Sequence, residues 1–333
     1  MKEAIRKIGF LGTGAVALDH AACASAMGAS IVGGVAQSAQ SKSFQLFARR
    51  FPEVEYFPDP DSMLNSGKVD AIVMCLPWEV QEKWLNWALE CNKPVLIEKP
   101  IALSGALLSQ HLEKPCVRLD NKVVGYNRRY YETVQQLRDR LGRGGLRAAD
   151  VTISEDLTSL SRRRGVRCLD YSLENSGCHI IDTAVFLFGA LNVRHMTSYS
   201  VPFEGQNFQC YNGLLETEKL IPVGFSSNSF DPVKVGIRCK FDDGTFWCLT
   251  PTEVLSIYEG YDIVERDGDC EVRRYEPKLR ERYVEEAILR PGFGKQMEAF
   301  LKREIGPGCT PTEALKTLKL ISSIKEQALE IAK

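Results

Sequence analysis

Residues 7–20 read Lys7-Ile8-Gly9-Phe10-Leu11-Gly12-Thr13-Gly14-Ala15-Val16-Ala17-Leu18-Asp19-His20. An apolar run, Ile5 to Leu11, enters a glycine turn, and a small-residue helical pattern continues from Ala15 to Met27. Strand, glycine turn and helix in that order frame Gly12-Thr13-Gly14-Ala15-Val16-Ala17 as a G-x-G-x-x-A dinucleotide fingerprint. Gly12 permits the tight turn, Gly14 lets a pyrophosphate approach the backbone, and Ala17 lets helix and strand pack closely. Thr13, Ala15 and Val16 complete the loop, whose amides at the positive helix end suit phosphate oxygens. The plain alternative is a glycine-rich turn that holds nothing.

Working outward, the strand and helix patterns alternate. Strands are expected at Ser30–Ala36, Val69–Leu76, Pro94–Ile97 and Val123–Tyr126, and helices at Ser41–Arg50 and Glu79–Cys91. Such alternation predicts an α/β domain, a doubly wound parallel Rossmann sheet covered on both faces, over residues 1–122. Ribose choice rests at the end of the second strand, roughly 20 residues past the glycines. There the chain reads GGVAQSAQSK, with Gln37 where an acid would hold a ribose hydroxyl. Gln37, Ser38 and Lys42 suit a 2′-phosphate, which favours NADP over NAD. Lys42 as a plain solvated helix residue leaves NAD open.

Composition bounds the partners. The 333 residues carry 42 Lys plus Arg against 43 Asp plus Glu, a formal net charge of -1, so there is no overall attraction to nucleic acid or an anionic membrane. No apolar run approaches the roughly 20 residues of a membrane span. The start, MKEAIRKIGFLGTG, passes from charges straight into the glycine motif without the apolar stretch and cleavage site of a signal peptide, so a cytoplasmic protein is expected. The eleven cysteines are scattered singly, without C-x-x-C or zinc-ligand spacing, and read as reduced, buried small hydrophobes; no metal site is expected.

After about residue 125 the pattern changes. Gln135–Leu141 ends an amphipathic helix, Ala148–Glu155 reads as a strand, and Ser176–Phe188 as a helix. Strand-like runs follow at Val193–Val201, Asn207–Leu214, Val233–Phe241, Thr245–Thr250, Val254–Tyr258 and Tyr261–Arg266, with hairpin turns at Asp243-Gly244 and Asp267-Gly268. Helices are expected at Gly292–Arg303 and Pro311–Lys333, the second capped by Thr310 with Glu313 three residues on. The prediction for 123–333 is an α+β domain with an open, mainly antiparallel sheet, its last helix packing back on the first domain.

Two side chains carry candidate chemistry. Lys99, in VLIEKP, follows a strand of the first domain and so lies at the carboxyl edge of the sheet, where ligands bind. A lysine there suits general acid–base work, and Pro100 admits a cis peptide. His179, in ENSGCHIIDTAVFLFG, opens a helix, with Asn175 four residues before it and Asp182 three after. Taken singly, each has a bland reading: a surface lysine before a proline, and a packed core histidine.

The pieces meet in one family. The chain resembles the glucose–fructose oxidoreductase / inositol 2-dehydrogenase (Gfo/Idh/MocA) family in GFLGTGAVALDH, DAIVMCLPWEVQEKWLNWALECNKPVLIEKP, VGYNRRYYETVQQLRD, SGCHIIDTAVFLFG, RPGFGKQMEAFL and PTEALKTLKLISSIKEQA. The resemblance implies an NAD(P)-dependent oxidoreductase acting on a sugar, sugar acid or nucleotide-linked sugar. In it Lys99 moves the hydroxyl proton, and His179 assists with Asn175 beside it. Leu76, Pro77 and Trp78 would lie over the cofactor, and Glu98 would help hold its nicotinamide end. Asn127, Arg129 and Asp182 would serve the substrate cleft. The family also includes a transcriptional regulator of galactose use and glycosidases that use NAD transiently, so a cofactor-binding sensor or an NAD-dependent glycosidase is the alternative. By the same resemblance a homodimer or homotetramer is expected.

Three departures stand out: Asn175 replaces a usual aspartate, CLDYSL replaces upstream glycines, and the helix after E-K-P is short. The run Arg162-Arg163-Arg164, with Arg167, suits a phosphate or carboxylate on an anionic substrate, Arg164 being the candidate ligand; a solvated loop is the alternative. Without interleaved aromatic residues the run does not suggest nucleic acid.

Overall fold

The computed structural model describes every residue except 1–3, 232–234, 266–270, 287–288 and 332–333, and within its helices and strands leaves out the side chains of 164, 262–265 and 271–274. The chain forms two compact units, Met1–Tyr130 with Ala287–Lys319, and Tyr131–Glu286 with Leu320–Lys333.

The first unit begins β1 (Lys7–Leu11), α1 (Ala15–Ala26), β2 (Ser30–Val35), α2 (Lys42–Arg50), β3 (Glu55–Phe57) and α3 (Pro60–Asn65). It continues β4 (Ala71–Met74), α4 (Trp78–Glu90), β5 (Val95–Ile97), α5 (Gly105–Leu112) and β6 (Lys122–Val124), ending in a 3₁₀ turn at Asn127–Tyr130. The strands form one parallel sheet in the order β3-β2-β1-β4-β5-β6. This is the Rossmann order, and its topological switch falls between β1 and β4, where ligands bind at the carboxyl ends.

The strands are short and apolar because both faces are covered: β1 and β4 each bury four residues in a row. α1 lies close on the sheet because Ala17, Ala21 and Ala24 have no exposed surface and no bulk to hold it away. Phe293, Met297 and Phe300 of α9 (Phe293–Lys302) join the same core.

The second unit opens with α6 (Glu132–Gly142), β7 (Leu146–Ser154) and α7 (Leu157–Arg164). A 3₁₀ segment, Val166–Tyr171, and a π-helical turn, Leu173–Gly177, lead into α8 (Cys178–Phe188). Then come β8 (Leu191–Phe203), β9 (Gln206–Thr217), β10 (Pro222–Asn228), β11 (Val235–Phe241), β12 (Thr245–Leu249), β13 (Val254–Glu265) and β14 (Glu271–Val284). α10 (Pro311–Glu326) starts in the first unit and ends in the second, followed by β15 (Ala328–Glu330).

The nine-stranded sheet runs β14-β13-β12-β11-β7-β10-β9-β8-β15. Its pairings are antiparallel except β7 with β10 and β8 with β15. The expected fold class holds in both units.

Several local expectations need correction. The two strands expected at Val254–Tyr258 and Tyr261–Arg266 are one strand, β13: Gly260, at φ +57, together with register shifts around Tyr258 and Tyr261, makes an irregularity in the ladder instead of a turn. The hairpin expected at Asp267-Gly268 lies outside the described residues. The last helix stops at Glu326, not Lys333, and the chain then pairs with β8. The helix expected from Ser176 begins as a π turn and becomes α-helical only at Cys178. The capping of α10 is as read: the Thr310 amide donates to the Glu313 carboxylate at 2.9 Å and the Glu313 amide to the Thr310 hydroxyl at 3.2 Å.

Candidate functional site

The glycine turn in the first unit is held between two strand ends. The Gly12 amide donates to Val35 O at 3.0 Å. Gly12 has φ +93, and a Cβ there would lie 2.3 Å from Cys75 O, so only glycine fits. Gly14 differs: its φ of -76 suits any residue, and a Cβ would meet nothing within 4 Å. α1 starts at the next residue, with neither a side-chain cap among the described residues nor an acid in its first turn. The first helix amides therefore face open space beside Gly14, a cradle for an anion. Thr13 is buried beneath it, its hydroxyl donating to Ser43 Oγ at 3.3 Å.

Past β2, Gln37 is exposed and Ser38 half-buried. Ser41 caps α2 by accepting the Phe44 amide, and exposed Lys42 is the first helical residue, in a first turn without an acid. At the end of β4, Leu76 is half-buried, Pro77 is exposed at the N-cap position of α4, and Trp78 begins that helix.

The E-K-P turn is held by a set of hydrogen bonds from β4, α1 and α4. The Glu98 amide donates to Met74 O at 2.9 Å, continuing the ladder beyond β5. The Glu98 carboxylate meets His20 Nε2 at 2.7 Å and accepts the Lys99 amide at 3.1 Å. The Lys99–Pro100 peptide is cis. Gln81, 2% exposed on α4, donates its side-chain amide to Glu98 O and to Pro100 O, both at 2.5 Å. Gly125 leaves room for the carboxylate, since a Cβ there would come 2.8 Å from Glu98 Oε1. His20 has no exposed surface, and its ring lies 4.5 Å from that of Phe293. Glu98, read as a cofactor contact, is thus engaged by its own unit.

Burial works against ionisation of Glu98, but the His20 hydrogen bond and charge, with the Lys99 ammonium and amide, outweigh it and hold the carboxyl below its ordinary value of 4.5. A carboxyl depressed by folding stabilises the fold above its unfolded pKa and loses that contribution as pH falls through the folded value. Urea midpoints of the native chain should therefore fall on acidification below pH 4.5, and Glu98→Gln should flatten that slope. Identical slopes for the two proteins would remove Glu98 from the acid response.

Two candidates lie in the 3₁₀ turn after β6. Asn127 is buried and donates to Pro291 O at 2.8 Å. Arg129, 1% exposed, has Nη1 3.4 Å from Glu313 Oε1.

The second unit holds the remaining candidates. Asn175, in the π turn, has no exposed surface, and its amide donates to Cys168 Sγ at 3.4 Å. His179 is half-buried at the second position of α8, its carbonyl accepting the Thr183 hydroxyl at 2.7 Å. Asp182 is 1% exposed on the same helix. The Ser176 hydroxyl donates to Glu155, and Lys325 pairs with buried Glu174 at 2.9 Å. Arg162, Arg163 and Arg167 are exposed, Arg163 Nε donating to Ser159 O at 3.0 Å; the Arg164 side chain lies outside the description.

Sequence reading passed over His20 and Gln81. The available signal was a polar side chain on the sheet-facing side of each helix. Among the described residues no group of three or more His, Cys, Asp or Glu could hold a metal, and no helix is long and apolar enough to cross a membrane.

A model of the oxidoreductase family, NAD-binding Rossmann fold (Gfo/Idh/MocA), matches residues 6–122. An inositol 2-dehydrogenase of Acidothermus cellulolyticus is 30% identical over 126 residues, 37% of this chain and 34% of that protein. A D-glucoside 3-dehydrogenase of Escherichia coli is 26% identical over 178 residues, 50% of this chain and 49% of that one. The chain thus spans about a third of the length of the first curated relatives it matches. Among solved structures, a UDP-N-acetylglucosamine 3-dehydrogenase of Acidithiobacillus ferrooxidans superposes with a TM-score of 0.73 at 17% identity, covering 97% of both chains. A 3-ketoreductase of Actinomadura kijaniata, solved with NADP and TDP-benzene, gives 0.71 at 15% identity over 98% of both. These two show the same fold. Through the glycine turn, the parallel sheet and the match over residues 6–122, the first unit is similar to the NAD-binding Rossmann domain of the Gfo/Idh/MocA oxidoreductase family.

Proposed function

We propose that the chain is an NAD(P)-dependent oxidoreductase acting at a hydroxyl or keto carbon of a sugar, sugar acid or nucleotide-linked sugar. The observation that carries this reading is the placement of Lys99. It stands at the carboxyl edge of the sheet, on a turn pinned from both sides, in the same unit as the open cradle at Gly14. The residues fit a dinucleotide: the cradle and the uncapped amides of α1 take the pyrophosphate, and Leu76, Pro77 and Trp78 flank its nicotinamide half. When bound, the nicotinamide supplies the hydride acceptor or donor. Lys99, as the neutral amine, takes the hydroxyl proton on oxidation and returns it on reduction, with His179 assisting. The exposed arginines of α7 suit an anionic substituent on the substrate.

Names of relatives support a polyhydroxylated substrate: inositol, a D-glucoside and UDP-N-acetylglucosamine. NADP is favoured because no acid stands at Gln37, while Ser38 and Lys42 flank an acid-free helix start. The same reading includes self-association, supported by the exposed aromatic residues Tyr261, Tyr275 and Tyr283 on β13 and β14.

Titration with NADPH and NADH, followed by quenching of the four tryptophans, tests the cofactor. NADPH should bind about tenfold tighter, the equivalent of ~1.4 kcal/mol from a charge-assisted phosphate contact. Absence of binding by both at millimolar concentration would sink the enzyme reading. Tighter NADH binding would sink only the choice of NADP.

A further inference from the structure

We propose that Gln81 is a positioning residue for Lys99. The inference rests on the dinucleotide reading above and adds a device to it. Gln81 lies one turn into α4, a helix that begins at Trp78 with Pro77 as N-cap. Both of its amide hydrogens are spent on the E-K-P turn, one on Glu98 O and one on Pro100 O. Those carbonyls stand on either side of Lys99. The Lys99 amide is held as well, by Glu98 Oε2 at 3.1 Å, and Glu98 is in turn held by His20. The backbone at Lys99 is therefore fixed before, at and after the residue, so the ammonium moves only through side-chain torsions.

The chemistry needs this. A proton-transferring group displaced by about 1 Å costs on the order of 10²-fold in rate. A buried glutamine whose only role was to satisfy two carbonyls would affect stability alone. Gln81 also ties the turn to α4, whose first residues are those placed against the nicotinamide half. Cofactor loop and lysine turn thereby share one rigid support.

The test uses the full chain, NADPH as probe, and acetylation of Lys99 by acetic anhydride, read by peptide mass spectrometry. In the native protein, saturating NADPH should lower Lys99 labelling by roughly tenfold, as bound ligand excludes reagent. Gln81→Met, similar in length but without N–H donors, should bind NADPH with a Kd within about threefold of native, yet show less than about twofold shielding of Lys99. A loss of stability alone would not change that ratio at constant Kd. Native shielding in Gln81→Met overturns the proposal. Should that variant not fold, Gln81→Asn, with both donors on a shorter arm, is read by the same ratio, and native shielding again overturns it. A native protein that binds neither NADPH nor NADH defeats the underlying reading instead, and this inference with it.

Discussion

Lys99→Ala is expected to lower turnover by ~10²-fold or more while leaving the Kd for NADPH unchanged. The loss stays local because the turn is built from backbone contacts. Gln81 still donates to the carbonyls of Glu98 and Pro100, the residue 99 amide still donates to Glu98, and the His20–Glu98 pair is untouched. What disappears is the group proposed to take and return a proton. Lys99→Arg gives the companion result: charge is kept, but a guanidinium does not give up its proton at working pH, so turnover should fall nearly as far. The measurement is steady-state absorbance of reduced nicotinamide, with the Kd from fluorescence. Turnover of native size in Lys99→Ala removes this lysine from the chemistry.

The two glycines of the turn should separate folding from binding. At Gly14 the fold asks for nothing: φ is ordinary and the space beside Cα is open. Gly14→Val should leave stability within ~0.5 kcal/mol yet fill the volume proposed for the pyrophosphate, weakening NADPH by ~10²-fold or more, about 2.7 kcal/mol. Gly12→Ala should do the opposite kind of damage. Its left-handed backbone penalises a side chain, and the new methyl meets a carbonyl oxygen at 2.3 Å, so the turn must shift at a cost of about 2 kcal/mol or more. Urea denaturation and NADPH titration of both variants distinguish the effects. Native-like NADPH binding by Gly14→Val would mean that the open space is not a phosphate cradle.

Much of the first unit was legible because its signals are local. A buried parallel strand is a continuous apolar run, and glycine spacing marks the turn that follows. The second unit hid more. PVGFSSN carries few β-branched residues, yet it forms β10 because the alternating Val223, Phe225 and Ser227 are buried between β7 and β9. Glu259-Gly260-Tyr261 looks like a turn, but the ladder with β14 carries the strand through it. Ala328–Glu330 extends a helical pattern that local propensity alone would continue, and pairing with β8 overrides it.

In the candidate site, Lys99 was visible from its motif, whereas its supports were not. Gln81 and His20 act across 17 and 78 residues of sequence respectively, and such partners become readable only once the sheet brings the strand ends together. The resemblance places Asn127 and Arg129 toward the substrate cleft; in the structure Asn127 donates to Pro291 O and Arg129 lies against Glu313, both within their own unit.

The short final strand has a consequence for solubility. β8 offers a row of backbone groups at the rim of the nine-stranded sheet, and Met196 to Ser198 are claimed by Ala328, Leu329 and Glu330, with the Ile331 amide closing on Ser198 O at 2.9 Å. A bare rim of that kind invites strand addition from a neighbouring polypeptide. The intramolecular cover claims only Met196–Ser198 of the 13-residue β8 and sets one charged residue, Glu330, over that stretch, which blunts strand addition there. A chain cut after Glu326 should keep its helices and yet self-associate through hydrogen-bonded strand addition at the bared stretch of β8, read as increased light scattering.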